Sequence, residues 1–173
     1  VCVVACLAAF GGGTLRDLLL DHRPFFWVRQ QEALIGVFVL CLLAVTLMRQ
    51  RHIGWTERAI LWPDALGLGL FNATGVHLAL QAGMSGFVAI LMGVITGIFG
   101  GVLRDMVCNE VPATLRDHRP YAVCAFAGGA AFVALSAVGQ SATVGMSVCA
   151  ALTIGLRALA IRLNWTLNRW GDN

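Results

Sequence analysis

One six-residue string occurs twice in this chain. Gly12-Gly13-Thr14-Leu15-Arg16-Asp17 is matched by Gly100-Gly101-Val102-Leu103-Arg104-Asp105 at an offset of 88 residues, with five of the six residues identical. Pro24 meets Pro112 at the same offset. Each string closes a long apolar run and leads into a charged loop. A duplicated unit limits the possible folds to those in which both copies sit in equivalent surroundings.

Those surroundings are apolar. Of 173 residues, 58% are hydrophobic and only 12% charged, where an ordinary soluble domain has about 25% charged residues. Six apolar spans stand out: A (Val1–Leu20), B (Ala33–Met48), C (Ala65–Ala82), D (Phe87–Val107), E (Tyr121–Val138) and F (Ala142–Leu163). A helix crosses a bilayer core in about 20 residues. The runs are too long for strands and lack two-residue alternation. In lipid the backbone must satisfy its own hydrogen bonds, which favours helices. The expected fold class is therefore an all-α polytopic membrane protein. This composition excludes a disordered chain, a nucleic-acid binder and a typical cytosolic enzyme. All twelve basic residues are Arg, and the net charge of +3 is too small to imply a nucleic-acid partner.

The loops can be sorted by side. The A–B, C–D and E–F loops share one side and hold Arg23 and Arg29, with Arg16 close by. The B–C and D–E loops and the C-terminal tail share the other, with Arg49, Arg51, Arg58, Arg116, Arg119 and Arg169, and Arg162 near. The positive-inside rule makes the second side cytoplasmic and places the C-terminus inside. Span A then ends outside and span D ends inside. The two copies point in opposite directions, which is the signature of an inverted-topology repeat. Inversion needs an odd number of helices per unit. Span C precedes D, whereas nothing here precedes A, so the arithmetic predicts a further helix before Val1. The expected organisation is one transmembrane domain over 1–173. Repeat 1 covers 1–48 without its first helix, repeat 2 covers 64–138, and a final helix covers 142–165. That makes six spans present and seven expected in the full protein.

The segments GGGTLRDLLL…RPFFW, PDALGLGLFNATG and LMGVITGIFGGVLRDMVCNEVPATLR resemble the bacterial branch of the trimeric intracellular cation (TRIC) channel family. That branch is also known as the UPF0126, or putative glycine transporter, membrane family. The resemblance covers nearly the whole chain. It implies seven helices in two inverted three-helix repeats plus a final helix, and a homotrimer with one pore per subunit. It also implies that the two kinked, glycine-bearing helices line the pore.

The glycines are the first candidate site residues. Consecutive Gly residues permit a kink or break, and broken helices in membranes persist where freed carbonyls meet protein, water or ions. Gly11, Gly12 and Gly13 in span A, and Gly97, Gly100 and Gly101 in span D, are thus candidate pore-lining or kink positions. Close packing through small residues is the other reading. Thr14 and Thr96 join them, since hydroxyl oxygens can replace part of a cation's hydration shell; Asn72, Thr74 and His77 are further polar residues within spans. Arg16, Asp17, Arg104 and Asp105 are candidates because intramembrane charges are costly. They are read as charged pore ends or as interfacial anchors. Neighbouring helix residues do not face each other, so each Arg is expected to find its partner on another helix or among headgroups. A cation path requires each Arg to be paired or turned aside.

Pro24 and Pro112 are expected to start turns or short interfacial segments, and Asp64 to cap span C or attract ions. The six Cys show no CxxC spacing and read as small packing residues, with no metal site. The five Trp fall at span edges, as in an interfacial aromatic belt. No cofactor motif or catalytic signature is present, and an enzyme is not expected.

The leading function is a monovalent cation channel, chiefly for K⁺, whose path runs between spans A and D. The alternative is a secondary carrier for a small solute, with glycine suggested by the family's other name; broken helices in inverted repeats also build alternating-access carriers. A non-transporting scaffold is the third class. The expected setting is the bacterial cytoplasmic (inner) membrane, with membrane lipids as partners.

Overall fold

The computed structural model of the protein describes residues 2–50, 57–116 and 120–165. All of its regular structure among the described residues is helical. Six long helices are α1 (Cys2–Leu19), α3 (Gln31–Gln50), α4 (Glu57–Gln81), α5 (Gly86–Val107), α7 (Ala122–Ala137) and α8 (Ala142–Arg162). Two four-residue helices, α2 (Phe26–Arg29) and α6 (Ala113–Arg116), lie in the loops after α1 and α5. Helices α1, α5 and α8 are long and apolar enough to cross a membrane by length and composition, while α3 and α7 offer shorter apolar stretches, Gln31–Thr46 and Ala122–Ala137. Arg51, Arg119 and Arg169, on which the sidedness argument leans, lie outside the described residues, as do Trp55 and Trp170.

The apolar runs and the helices coincide closely, with one exception. Helix α4 starts at Glu57 and carries Pro63 within it. Asp64 is therefore inside a helix, and the capping role expected for it is wrong. Pro-Asp reads as a helix start because proline lacks the donor that an interior position needs. Here the chain gives up that one hydrogen bond and stays helical on both sides.

The duplication is visible in the backbone. Helix α1 ends with the His22 N–H bonding to the Asp17 carbonyl at 2.7 Å and the Asp21 N–H to the Leu18 carbonyl at 3.2 Å. Helix α5 ends with the Glu110 N–H on the Asp105 carbonyl at 2.9 Å and the Asn109 N–H on the Met106 carbonyl at 3.1 Å. Each of the two bonds in the first copy matches one in the second at the 88-residue offset. The residues that turn the chain, Asp21 (φ 50°) and Asn109 (φ 56°), are also equivalent. Both take the left-handed conformation that closes such a cap and that Asp and Asn tolerate best after Gly.

The crossing of α1 and α5 shows how the copies are related. A β-carbon on Gly12 would collide with the Thr96 carbonyl oxygen, and one on Gly100 with the Ala8 carbonyl oxygen. Shifting the first contact by 88 residues gives the second with its partners exchanged. Such reciprocity defines a local two-fold axis. The later residue on α1 meets the earlier residue on α5, so the helices run antiparallel. The repeat is inverted, and glycine is required where the two backbones touch.

The second copy is the better enclosed. Helix α4 packs along α5, α7 and α8, around Ala73, Val76, Met92, Phe132 and Cys149. Asn72, fully buried, ties three helices together: its amide donates to the Ala125 carbonyl at 2.7 Å and to Thr153 Oγ1 at 3.0 Å. Helix–helix association in lipid depends on such polar ties and on small-residue contacts. By contrast, between Gln31 and Thr46 helix α3 buries only Cys41. Its Phe38, Leu40 and Leu42 are exposed, a surface suited to lipid tails.

Candidate functional site

A cavity of about 620 Å³ lies against the α1–α5 crossing. Helix α1 contributes Ala5, Ala8, Ala9 and Gly12, and α5 contributes Thr96, Gly97, Gly100, Gly101 and Arg104. Helix α4 forms another wall with Asp64, Gly67, Leu68 and Phe71, and Tyr121 closes one end. The alanines have a structural logic. Ala5 and Ala9 are the repeat counterparts of Gly93 and Gly97, which pack on α4 near the Asn72 and Leu68 carbonyls. On α1 the same face looks into the cavity.

Charge is concentrated at one end. Arg104 Nε donates to Asp105 Oδ1 at 2.8 Å. The Tyr121 hydroxyl reaches the Asp64 carboxylate, and Arg104, Arg157 and Asp105 all lie close enough to act on that carboxylate electrostatically. Arg157, from α8, is 1% exposed and stands over the Tyr121 ring at 4.6 Å, where the ring's quadrupole favours a cation. Two carboxylates and two guanidinium groups thus share this end of the cavity.

The opposite end of the crossing is sealed. Arg16 Nε and Nη2 both donate to Asp17 Oδ1, at 2.9 and 2.6 Å, with Asp17 fully buried. The other oxygen, Asp17 Oδ2, accepts the Phe26 N–H at 2.8 Å and so holds the start of α2. The Arg16 guanidinium carbon lies 5.4 Å from the Phe26 ring centroid.

Several expectations are corrected here. Neither α1 nor α5 is broken at its glycines; both run as continuous helices. At Gly12 and Gly100 the absent side chain serves backbone contact between helices, without interrupting either helix. Each Arg pairs with the adjacent Asp on its own helix, contrary to the expected partner elsewhere. Successive β-carbons diverge, but in the last turn the long Arg side chain folds sideways to the short carboxylate. The threonine hydroxyls bond to their own helices: Thr14 to the Phe10 carbonyl at 2.8 Å and Thr96 to the Met92 carbonyl at 2.6 Å. Thr14 faces away from the cavity, whereas Thr96 still borders it.

Of the residues singled out in the sequence, Gly12, Thr96, Gly97, Gly100, Gly101 and Arg104 meet at the cavity. Gly11 and Thr14 face a separate apolar groove of about 570 Å³ between α1, α3 and α5. Gly13 lies under the Phe26 ring. Arg16, Asp17 and Asp105 flank the cavity without lining it. Pro24 precedes α2 and Pro112 immediately precedes α6. Tyr121, Arg157, Ala5, Ala8 and Ala9 were missed. An Arg within span F, and alanines at the offset positions of Gly93, Thr96 and Gly97, were the available signals.

Antiparallel copies of a glycine-bearing helix, crossing beside an enclosed cavity in an apolar helical bundle, define a polytopic membrane protein of the inverted-repeat class. The family model described as "Glycine transporter" matches residues 1–49 and 61–137. A UPF0126 membrane protein of Vibrio cholerae is 35% identical over 168 residues, covering 96% of this chain and 69% of that protein. The UPF0126 inner membrane protein YadS of Escherichia coli is 40% identical over 131 residues, covering 75% of this chain and 61% of YadS. The chain thus spans about two thirds of the length of these relatives. Among solved structures, one described under conductance through TRIC cation channels superimposes with a TM-score of 0.85 at 30% identity, covering 96% of this chain and 81% of the other. The TRIC trimeric intracellular cation channel orthologue from Rhodobacter sphaeroides gives 0.83 at 33% identity, covering 95% and 94%. The chain belongs to the TRIC/UPF0126 family.

Proposed function

We propose that this protein conducts monovalent cations, chiefly K⁺, through a path inside each subunit of a homotrimer in the bacterial inner membrane, with the C-terminus on the cytoplasmic side. The observation that carries this reading is the cavity on the two-fold crossing. Glycines from both copies of the repeat line it, as a path related to itself by inversion requires. The pairing of Arg16 with Asp17 and Arg104 with Asp105 supports a cation as the permeant species, because an unpaired guanidinium would repel it. The solved neighbours, described as TRIC cation channels, support the same ion class and the trimer. The test is a planar-bilayer recording of the purified protein under a KCl gradient. Discrete openings that reverse near the K⁺ potential are expected. A silent bilayer, with the protein shown to be folded and inserted, would reject the channel.

A second reading rests on a different observation. Asp64 and Arg104 both line the cavity, whose remaining wall is largely Gly and Ala. An ammonium could approach Asp64 while a carboxylate approaches Arg104, and a small zwitterion such as glycine carries both groups. Saturable glycine counter-flow without unitary currents would select this carrier.

A further inference from the structure

The two-fold relation makes a specific demand. The cavity reaches Gly101 and Arg104 at one end of α5. Their counterparts on α1 are Gly13 and Arg16, which continue the face carrying Ala5, Ala9 and Gly12 by one turn. A symmetric path would have a second mouth there. The two ends differ in what covers the equivalent glycine. Among the described residues a β-carbon on Gly101 would meet only Arg104 Nη2, at 4.0 Å, whereas one on Gly13 would run into the Phe26 ring. The Arg104 side chain is 32% exposed and that of Arg16 only 6%. Phe26 occupies the position that Thr114 holds in the second copy. The closed end is thus the one whose glycine lies under the Phe26 ring, for which the described residues of the second copy offer no counterpart.

We propose that the Phe26 ring is the plug of the mouth at the Arg16 end, and that this mouth opens when α2 lifts off Gly13. The attachment is suited to a movable part. Helix α2 has only four residues and lies against α1 through few polar contacts. The Phe26 N–H sits on Asp17, and Trp27 Nε1 donates to Thr14 Oγ1 at 3.1 Å. Phe10, at 5.8 Å between centroids, gives the ring a tilted aromatic neighbour. None of these contacts involves α4, α5, α7 or α8. The plug can leave without disturbing the packed half of the molecule.

This inference rests on the channel reading, and one experiment separates the two. Single-channel recordings compare the unaltered protein with Phe26→Thr, which installs the residue of the second copy. The expected result is a rise in open probability of about tenfold, the effect of losing roughly one aromatic contact from the closed state. Unitary conductance and reversal potential should be unchanged, because the cavity itself is untouched. Phe26→Leu keeps apolar cover but loses the ring; the same direction is expected, and it decides the matter if the Thr variant fails to assemble. Phe26→Trp should lower open probability. Unaltered gating in the folded Thr or Leu variant would overturn the plug while leaving the channel standing. Absence of current from the unaltered protein would overturn both.

Discussion

The two copies of the repeat end alike in backbone and differ in cover. Asp21 and Asn109 turn the chain in the same left-handed conformation and with the same pair of hydrogen bonds, and each copy pairs its Arg with the next Asp. Yet Asp17 is fully buried and also caps α2, while the Arg104–Asp105 pair borders a cavity. The duplicated residues therefore specify the helix end, and the residues that differ, Phe26 against Thr114 above all, specify whether that end is open. Inverted repeats use such asymmetry to keep two faces of a path in different states.

The largest expected effect tests the buried pair. Asp17→Asn strands a buried guanidinium and weakens the hold on α2, and should cost about 3 kcal/mol. Asp105→Asn leaves a partly solvated Arg104 and should cost about 1 kcal/mol, nearer the value of a surface pair. Denaturation in a mild detergent, followed by far-UV circular dichroism, measures both. Equal losses would mean that the two ends are energetically equivalent despite their different burial. The crossing comes next. Gly12→Ala and Gly100→Ala each force the same two backbones apart and should each cost about 2 kcal/mol. Since both act on one contact, the double variant should lose less than the sum. Full additivity would show that the reciprocal contact is not a single unit.

The spans and the duplication were legible because both are carried by residues close in sequence: apolar runs mark helices, and an exact offset exposes a repeat. The inversion was legible from the alternating direction of successive spans before the Gly12–Thr96 and Gly100–Ala8 contacts displayed it. What stayed hidden depends on side chains brought together from afar. Arg157 meets Tyr121 and Asp64 only because α8 packs along α4, and Phe26 covers Gly13 only because the loop after α1 folds back. Pro63 misled for a local reason, since one missing donor ends most helices but not this one. The glycines misled because a break and a close crossing call for the same residue.

The smallest effect isolates the plug from the helix that bears it. Gly13 and Gly101 are equivalent interior helix positions, so backbone propensity favours Ala by a similar amount at both, up to about 1 kcal/mol. Any difference between the two substitutions reports the environment alone. At Gly101 the added methyl meets only Arg104 among the described residues, and Gly101→Ala should be neutral or stabilising by about 0.5 kcal/mol, with unitary conductance lowered because the methyl projects into the cavity. At Gly13 the methyl displaces the Phe26 ring, and the lost packing should outweigh the propensity gain, for a net cost of about 1 kcal/mol. In the Phe26→Thr background that cost should vanish, since the clash is with the ring. A persistent penalty there would place the obstruction elsewhere on α2, and the asymmetry of the two mouths would need another cause.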